Sequence, residues 1–238
     1  MRSETLKYQS DGLSMSSELF YEPGGGRKPA VLVFPEAFGL GEHALARAKR
    51  LAELGYAALA CDLHGERRIL TDLNTVMQVV GALRDDVSRT RARGQTVLDV
   101  LKGRAEVDAT RIAAIGYCFG GTMALELARS GAPIVGAVGF HSGLSTTAPQ
   151  DAKNIKGKVL VCIGADDPSI TPEQRAAFEQ EMTAGKVNWQ MSVFGRVVHS
   201  FTNPDADKLG RSDFARYDEQ ADARSWQQMR ELLAEVFE

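Results

Sequence analysis

Cysteine is scarce in this chain of 238 residues: three in all, Cys61, Cys118 and Cys162. An odd number, spread over three separate stretches, excludes a disulfide framework. It points to unpaired thiols in a reducing compartment, with the cytoplasm as the expected location. Excess charge is missing too. A net charge of −3 provides no basic face for nucleic acid or anionic lipid. Met1 to Ser10 hold no apolar leader core and no run approaches a bilayer-spanning length, so no membrane association is expected. Histidine numbers four, widely separated, with no H-x-H, H-E-x-x-H or paired-cysteine spacing. Neither a metal nor a cofactor is expected from such a pattern. Internal repeats and low-complexity tracts are absent as well, and a single domain over residues 1–238 is the expected organisation. A chain of this length buries roughly three quarters of its unfolded surface, enough for a core without cross-links.

What the chain does have is regular alternation. Leu6–Ser10 and Leu13–Tyr21 flank Asp11-Gly12, a hairpin signal of type I′. After the Gly/Pro-rich connector Glu22–Pro29, apolar strands (Ala30–Phe34, Tyr56–Cys61, Arg111–Ile115, Ile134–Phe140, Val159–Ile163, Val187–Phe194) alternate with helical stretches. The helices are expected at Glu42–Leu54, Phe119–Arg129, Pro172–Ala184 and Asp218–Phe237, with Thr71–Lys102 helical in period and broken near Gly81 or Gly94. Strands apolar on both faces, interleaved with helices, indicate an α/β fold: a mostly parallel, doubly wound sheet covered on both sides, with the N-terminal β-hairpin at its edge.

Within that pattern one stretch carries chemistry. Gly116-Tyr117-Cys118-Phe119-Gly120-Gly121 follows a strand and opens a helix. This is the strand–turn–helix context of the nucleophile elbow of the α/β-hydrolase fold, with a thiol at its apex. The flanking glycines have a steric reason, since side chains two positions either side of the apex would collide across the turn. A thiol at an elbow needs a base, and the base needs an orienting acid. In this fold both follow the nucleophile in chain order. The strand ending at Ile163 leads into Gly164-Ala165-Asp166-Asp167-Pro168, and the strand ending at Phe194 leads to His199. Asp167 is preferred to Asp166 for its place before Pro168, and His199 to His141 for its late position. Cys61 and Cys162 lie in strands and read as core thiols.

Cys118 within its glycines, Gly-Ala-Asp-Asp-Pro, and His199-Ser200-Phe201 resemble the dienelactone hydrolase family. So do Pro35-Glu36-Ala37-Phe38-Gly39, Leu54-Gly55-Tyr56 and Cys61-Asp62-Leu63. The resemblance runs from about Ala30 to the C-terminus. It implies a catalytic set of Cys118, His199, Asp167 and Glu36, the last holding the resting thiol neutral and taking its proton when substrate enters. It implies an oxyanion hole from the N–H groups of Ala37 and Phe119. Phe38, Arg67, Arg68, Phe201 and Asn203 become the candidate substrate-contacting residues. Asn203 stands where family members that bind an anionic dienelactone carry an arginine, so only Arg67 or Arg68 could supply a charge. Neutral esters or other lactones are then at least as well suited as the dienelactone.

The expected function is metal-independent hydrolysis of an ester or lactone through a Cys-His-Asp triad and a thioester. A neutral aryl phosphotriester is a further expected substrate, because its tetrahedral phosphorus suits an oxyanion hole and a thiolate leaves phosphorus readily. The expected partners are therefore small molecules, with the chain a monomer or homodimer. Two readings from other classes stand beside this one. Gly39-x-Gly41-x-x-Ala44 opening a helix, with Asp62 at the end of the next strand, imitates the fingerprint of an NAD-dependent oxidoreductase. Against it, four residues separate the strand from Gly39, and Glu36 would repel phosphates. The other is a binding protein that keeps the elbow without turnover.

Overall fold

The computed structural model describes residues 1–238. Its frame is one eight-stranded sheet of β1 (Arg2–Ser10), β2 (Leu13–Tyr21), β3 (Lys28–Phe34), β4 (Ala57–Ala60), β5 (Val107–Tyr117), β6 (Gly136–Phe140), β7 (Lys158–Gly164) and β8 (Trp189–Phe194). Their spatial order is β1-β2-β4-β3-β5-β6-β7-β8. β3 to β8 run parallel, while the hairpin β1–β2 joins antiparallel through β2 and β4. Asp11 and Gly12 turn that hairpin with φ of +53° and +72°, the left-handed pair that a type I′ turn requires.

Side chains along a strand point alternately to opposite faces, which here builds two cores. Ala30, Leu32 and Phe34 of β3 face a layer of α2 (Leu73–Asp85), α3 (Val87–Lys102), α4 (Phe119–Arg129) and α5 (Pro172–Ala184). Val31 and Val33 face the opposite layer, α1 (Glu42–Glu53) and α6 (Glu219–Phe237). Both faces are thus covered, as continuous apolar strands require.

The expected break in Thr71–Lys102 lies elsewhere than at Gly81 or Gly94. α2 ends and α3 begins at Asp86, whose carboxylate accepts the Arg89 N–H at 3.0 Å as an N-cap. A capping carboxylate offers the orphan N–H groups of a new helix a partner, which a mid-helix glycine cannot. Gly94 instead makes room for α4, since a Cβ there would lie 3.4 Å from Leu127 Cδ1.

The strand order places the site. From β3 the chain moves one way to β4 and then crosses back to β5 on the other side. The loops after β3 and β5 therefore diverge at a topological switch point and leave a crevice at the carboxyl ends of the strands. Pro35–Gly41 follows β3, and Cys118 follows β5.

Candidate active site

Cys118 occupies the crevice with φ +54° and ψ −121°, a strained conformation for a residue with a side chain. The surrounding packing leaves no alternative to glycine. A Cβ on Gly116 would lie 2.0 Å from the Gly120 carbonyl oxygen, and one on Gly120 would lie 2.3 Å from that of Pro35. At Gly121 it would meet Ser142 Cβ at 2.3 Å. Sterics thus set the sharp turn that delivers the thiol to the N-terminus of α4.

His199, on the segment after β8, turns Nδ1 to Asp167 Oδ2 at 2.6 Å, and both residues are buried. The second Asp167 oxygen accepts the Ser169 N–H at 2.8 Å, whereas Asp166 is exposed. Backbone bonds pin the imidazole's own residue: His199 N–H donates to Phe214 O at 3.0 Å and Arg216 N–H to His199 O at 3.2 Å. Burial alone would lower the His199 pKa. Coupling to the Cys118 sulfur and the bond to Asp167 outweigh it and raise the value to about 10.

His141, the rival base, is committed elsewhere. Its Nδ1 accepts the Cys118 N–H at 3.2 Å, and its Nε2 donates to Thr202 Oγ1 at 2.8 Å. Complete burial, with His199, His43 and Arg47 nearby, drives its pKa well below the ordinary histidine value.

The Glu36 carboxylate lines the crevice and accepts from two residues that follow His199, Ser200 Oγ at 2.7 Å and Asn203 Nδ2 at 2.5 Å. The Asn203 amide is thereby spent on Glu36 rather than turned to a ligand. The N–H groups of Ala37 and Phe119 have no hydrogen-bond partner. Phe119 opens α4, where the first N–H groups have no intrahelical acceptor, and Ala37 lies on the half-exposed loop after β3. The Ala37 carbonyl accepts from His64 Nε2 at 2.8 Å, so the imidazole of His64 must carry its proton there.

Glu36, Ala37, Phe38, Cys118, Phe119 and His199 line one cavity of about 830 Å³. Four of the five expected substrate contacts lie outside it: Asn203, held on Glu36, and three more. Arg67 pairs with Glu18 and lines a separate hollow of about 710 Å³ on the hairpin. Arg68 donates to the His64 carbonyl at 3.3 Å. Phe201 is fully buried, its ring centroid 5.6 Å from Phe194 and 5.2 Å from His141. Not expected from sequence are the apolar wall of α2 (Leu73, Val76, Met77, Val80) and Arg84, Arg211 and Phe214. The helical period of α2 signals one apolar face, but not that this face borders a cavity instead of a core.

The dinucleotide imitation dissolves in three dimensions. The Asp62 carboxylate accepts the N–H groups of Ser16 at 2.9 Å, His64 and Gly65 at 3.1 Å, and Arg67 at 3.0 Å. It organises its own loop and has no capacity left for a ribose. No three His, Cys, Asp or Glu side chains converge as a metal centre would need.

Residues 17–237 match the dienelactone hydrolase family. The chain belongs to that family. As a hydrolase of the dienelactone hydrolase family it has the mostly parallel sheet and N-terminal hairpin described above. It is 28% identical over 186 residues to the "Probable 2-oxo-3-(5-oxofuran-2-ylidene)propanoate lactonase" of Bradyrhizobium sp, covering 74% of each chain. Among solved structures it is similar to one named m3DLH, at 46% identity and a TM-score of 0.96, covering 100% of this chain and 99% of that one. It is also similar to a dienelactone hydrolase-like promiscuous phosphotriesterase from metagenomic libraries, at 42% identity and a TM-score of 0.93 with the same coverage.

Proposed function

We propose that this chain hydrolyses carboxylic esters or lactones through a thioester on Cys118, with His199 as base and Asp167 as its orienting acid. One observation carries the reading. The thiol at the strained elbow shares a cavity with an imidazole whose other nitrogen is 2.6 Å from a buried carboxylate. An acid so placed fixes the tautomer that offers Nε2 to the sulfur. The proton of Cys118 passes to His199 Nε2, and the sulfur attacks the carbonyl carbon. The N–H groups of Ala37 and Phe119 hold the oxyanion, each donor of this kind contributing about 2.7–4 kcal/mol. His199 then returns its proton to the departing alkoxide, draws one from water, and the hydroxide releases the acyl group while the thiol is restored. Glu36, bonded to Ser200 and Asn203, ties the oxyanion loop to the segment that bears the base. In this arrangement the first proton acceptor is His199 rather than Glu36. Neither a metal nor a cofactor enters any step.

Cys118→Ala is expected to abolish turnover of an activated aryl ester while far-ultraviolet circular dichroism stays native. Activity within about tenfold of wild type in a folded variant would contradict the mechanism.

Neutral aryl phosphotriesters are a second substrate class in this proposal. The likeness at 42% identity to a promiscuous phosphotriesterase supports it. So does the chemistry, because water displaces a thiolate from phosphorus more readily than an alkoxide. Burst kinetics with a neutral aryl phosphotriester test it: continued steady-state release of phenol is expected. A single equivalent followed by permanent inactivation would reduce the triester to an inhibitor.

A further inference from the structure

We propose that Phe214, with Leu209 and Arg211, forms a platform for an aromatic leaving group beside the base, making aryl esters the preferred substrates. The inference rests on the hydrolase reading above and names its substrate class. If His199 protonates the leaving oxygen, the leaving group departs on the side of His199, and what lines that side sets its preferred shape. The Phe214 ring lies there, its centroid 5.5 Å from that of the imidazole at an interplanar angle of 39°. Its backbone is joined to the base, since Phe214 O accepts the His199 N–H at 3.0 Å and Ala215 bridges to His199. Platform and base therefore keep a fixed relation.

Leu209 adds an apolar side chain that is 47% exposed at the mouth of the same cavity. The Arg211 guanidinium lies 5.3 Å from the Phe214 centroid, exposed and free of any ion pair or side-chain hydrogen bond. An unpaired cation at that position favours the negative charge that develops on a departing phenolate oxygen, and a planar ring offers a stacking surface to an aryl group. A small alkyl alcohol can use the charge but not the ring, so the ring makes the difference. Another wall of the cavity suits the acyl group. Arg84 of α2 lies 5.8 Å from the ring of Phe119, the residue after the thiol, and Leu73, Val76, Met77 and Val80 of the same helix line the cavity. Leu73 and Met77 are 54% and 58% exposed, and large apolar side chains left open around a cavity mouth are suited to covering a bound ligand.

Naphthyl acetate and ethyl acetate form the same acyl-enzyme, so a comparison of their kcat/KM isolates the leaving group. Phe214→Ala is expected to lower the naphthyl-to-ethyl ratio at least about tenfold while ethyl acetate stays within about threefold. In a Cys118→Ala background, the same change should weaken naphthol binding by a similar factor, read by naphthol fluorescence. Phe214→Leu, which keeps apolar volume without the ring, should act in the same direction and serves if the alanine variant does not fold. Equal loss on both esters would mean that Phe214 only supports His199, and would overturn the platform. Unchanged naphthol binding would overturn it as well. If neither ester were turned over by wild type while naphthol binding still depended on Phe214, the platform would stand and the hydrolase reading would fall.

Discussion

The His199 side chain carries the sharpest electrostatic consequence of this arrangement. Its pKa is raised to about 10, against burial, by the sulfur of Cys118 and by Asp167. A group whose folded-state value lies above its unfolded one stabilises the fold fully below the unfolded value, near 6.5. That contribution is lost as pH climbs through about 10. Imidazole chemical shifts in wild type should therefore show the His199 titration displaced upward, and in Cys118→Ser its midpoint should move down. An unchanged midpoint in the serine variant would contradict the pairing. His64 holds the Ala37 carbonyl, on the loop that carries a proposed oxyanion donor. His64→Ala is expected to lower kcat about tenfold or more with little change in KM, since loss of its bond lets an oxyanion donor drift. His64→Gln should restore part of kcat, and a rise in KM alone would point to substrate contact instead. At this scale the elbow was legible because its sterics demand particular residue types at Gly116, Cys118 and Gly120. Arg211 and Phe214 were not, because a charged residue and an aromatic on an irregular segment carry no periodic signal. Arg67 and Arg68 looked available only because sequence does not show that Glu18 and the His64 carbonyl occupy them.

Among the elements, α4 bears the greatest structural demand, since every residue from Phe119 to Arg129 is buried. Arg129 ends it with no exposed surface, paired to Glu126 at 2.9 Å and to Glu181 of α5 at 2.7 Å, and donating to Leu144 O at 2.9 Å. Removing one member of a buried ionic cluster leaves the other charges uncompensated. Arg129→Ala should therefore cost about 3–5 kcal/mol in urea unfolding. Arg111→Ala, at a half-exposed pair with Asp108, should cost less than about 1 kcal/mol. Comparable losses at the two positions would contradict this ranking. The helices themselves were legible from their period and the strands from their apolar runs. The junction of α2 and α3 was not, because glycine is the louder breaker in sequence while the Asp86 cap acts through its side chain. A Cβ on Gly81 would meet no neighbouring element, and Gly81 sits inside α2 without interrupting it.

For the whole molecule, the parallel order and its reversal between β4 and β5 bring segments more than 160 residues apart in sequence to one crevice, as the bond between Glu36 and Ser200 illustrates. The alternation of strands and helices made that sheet legible, and chain order singled out Cys118, Asp167 and His199 as residues that would converge. The shape of the cavity was not legible, since it depends on how α2 and the segment around Phe214 close over the elbow. Helix lengths and hydropathy add that no helix is long and apolar enough to cross a membrane. The proposed steps use only Cys118, His199, Asp167 and two backbone N–H groups. Turnover should accordingly survive exhaustive chelation, and loss with EDTA that added zinc or manganese restores would reveal a metal requirement. The central claim is that Cys118 becomes acylated. The most direct measurement is rapid acid quenching of the His199→Ala variant with nitrophenyl acetate, followed by peptide mass mapping, because loss of the base should slow deacylation more than attack by an activated ester. The account predicts an acetyl group on the peptide containing Cys118, absent after hydroxylamine treatment. No adduct there, or an adduct at another residue while wild-type turnover persists, would contradict it.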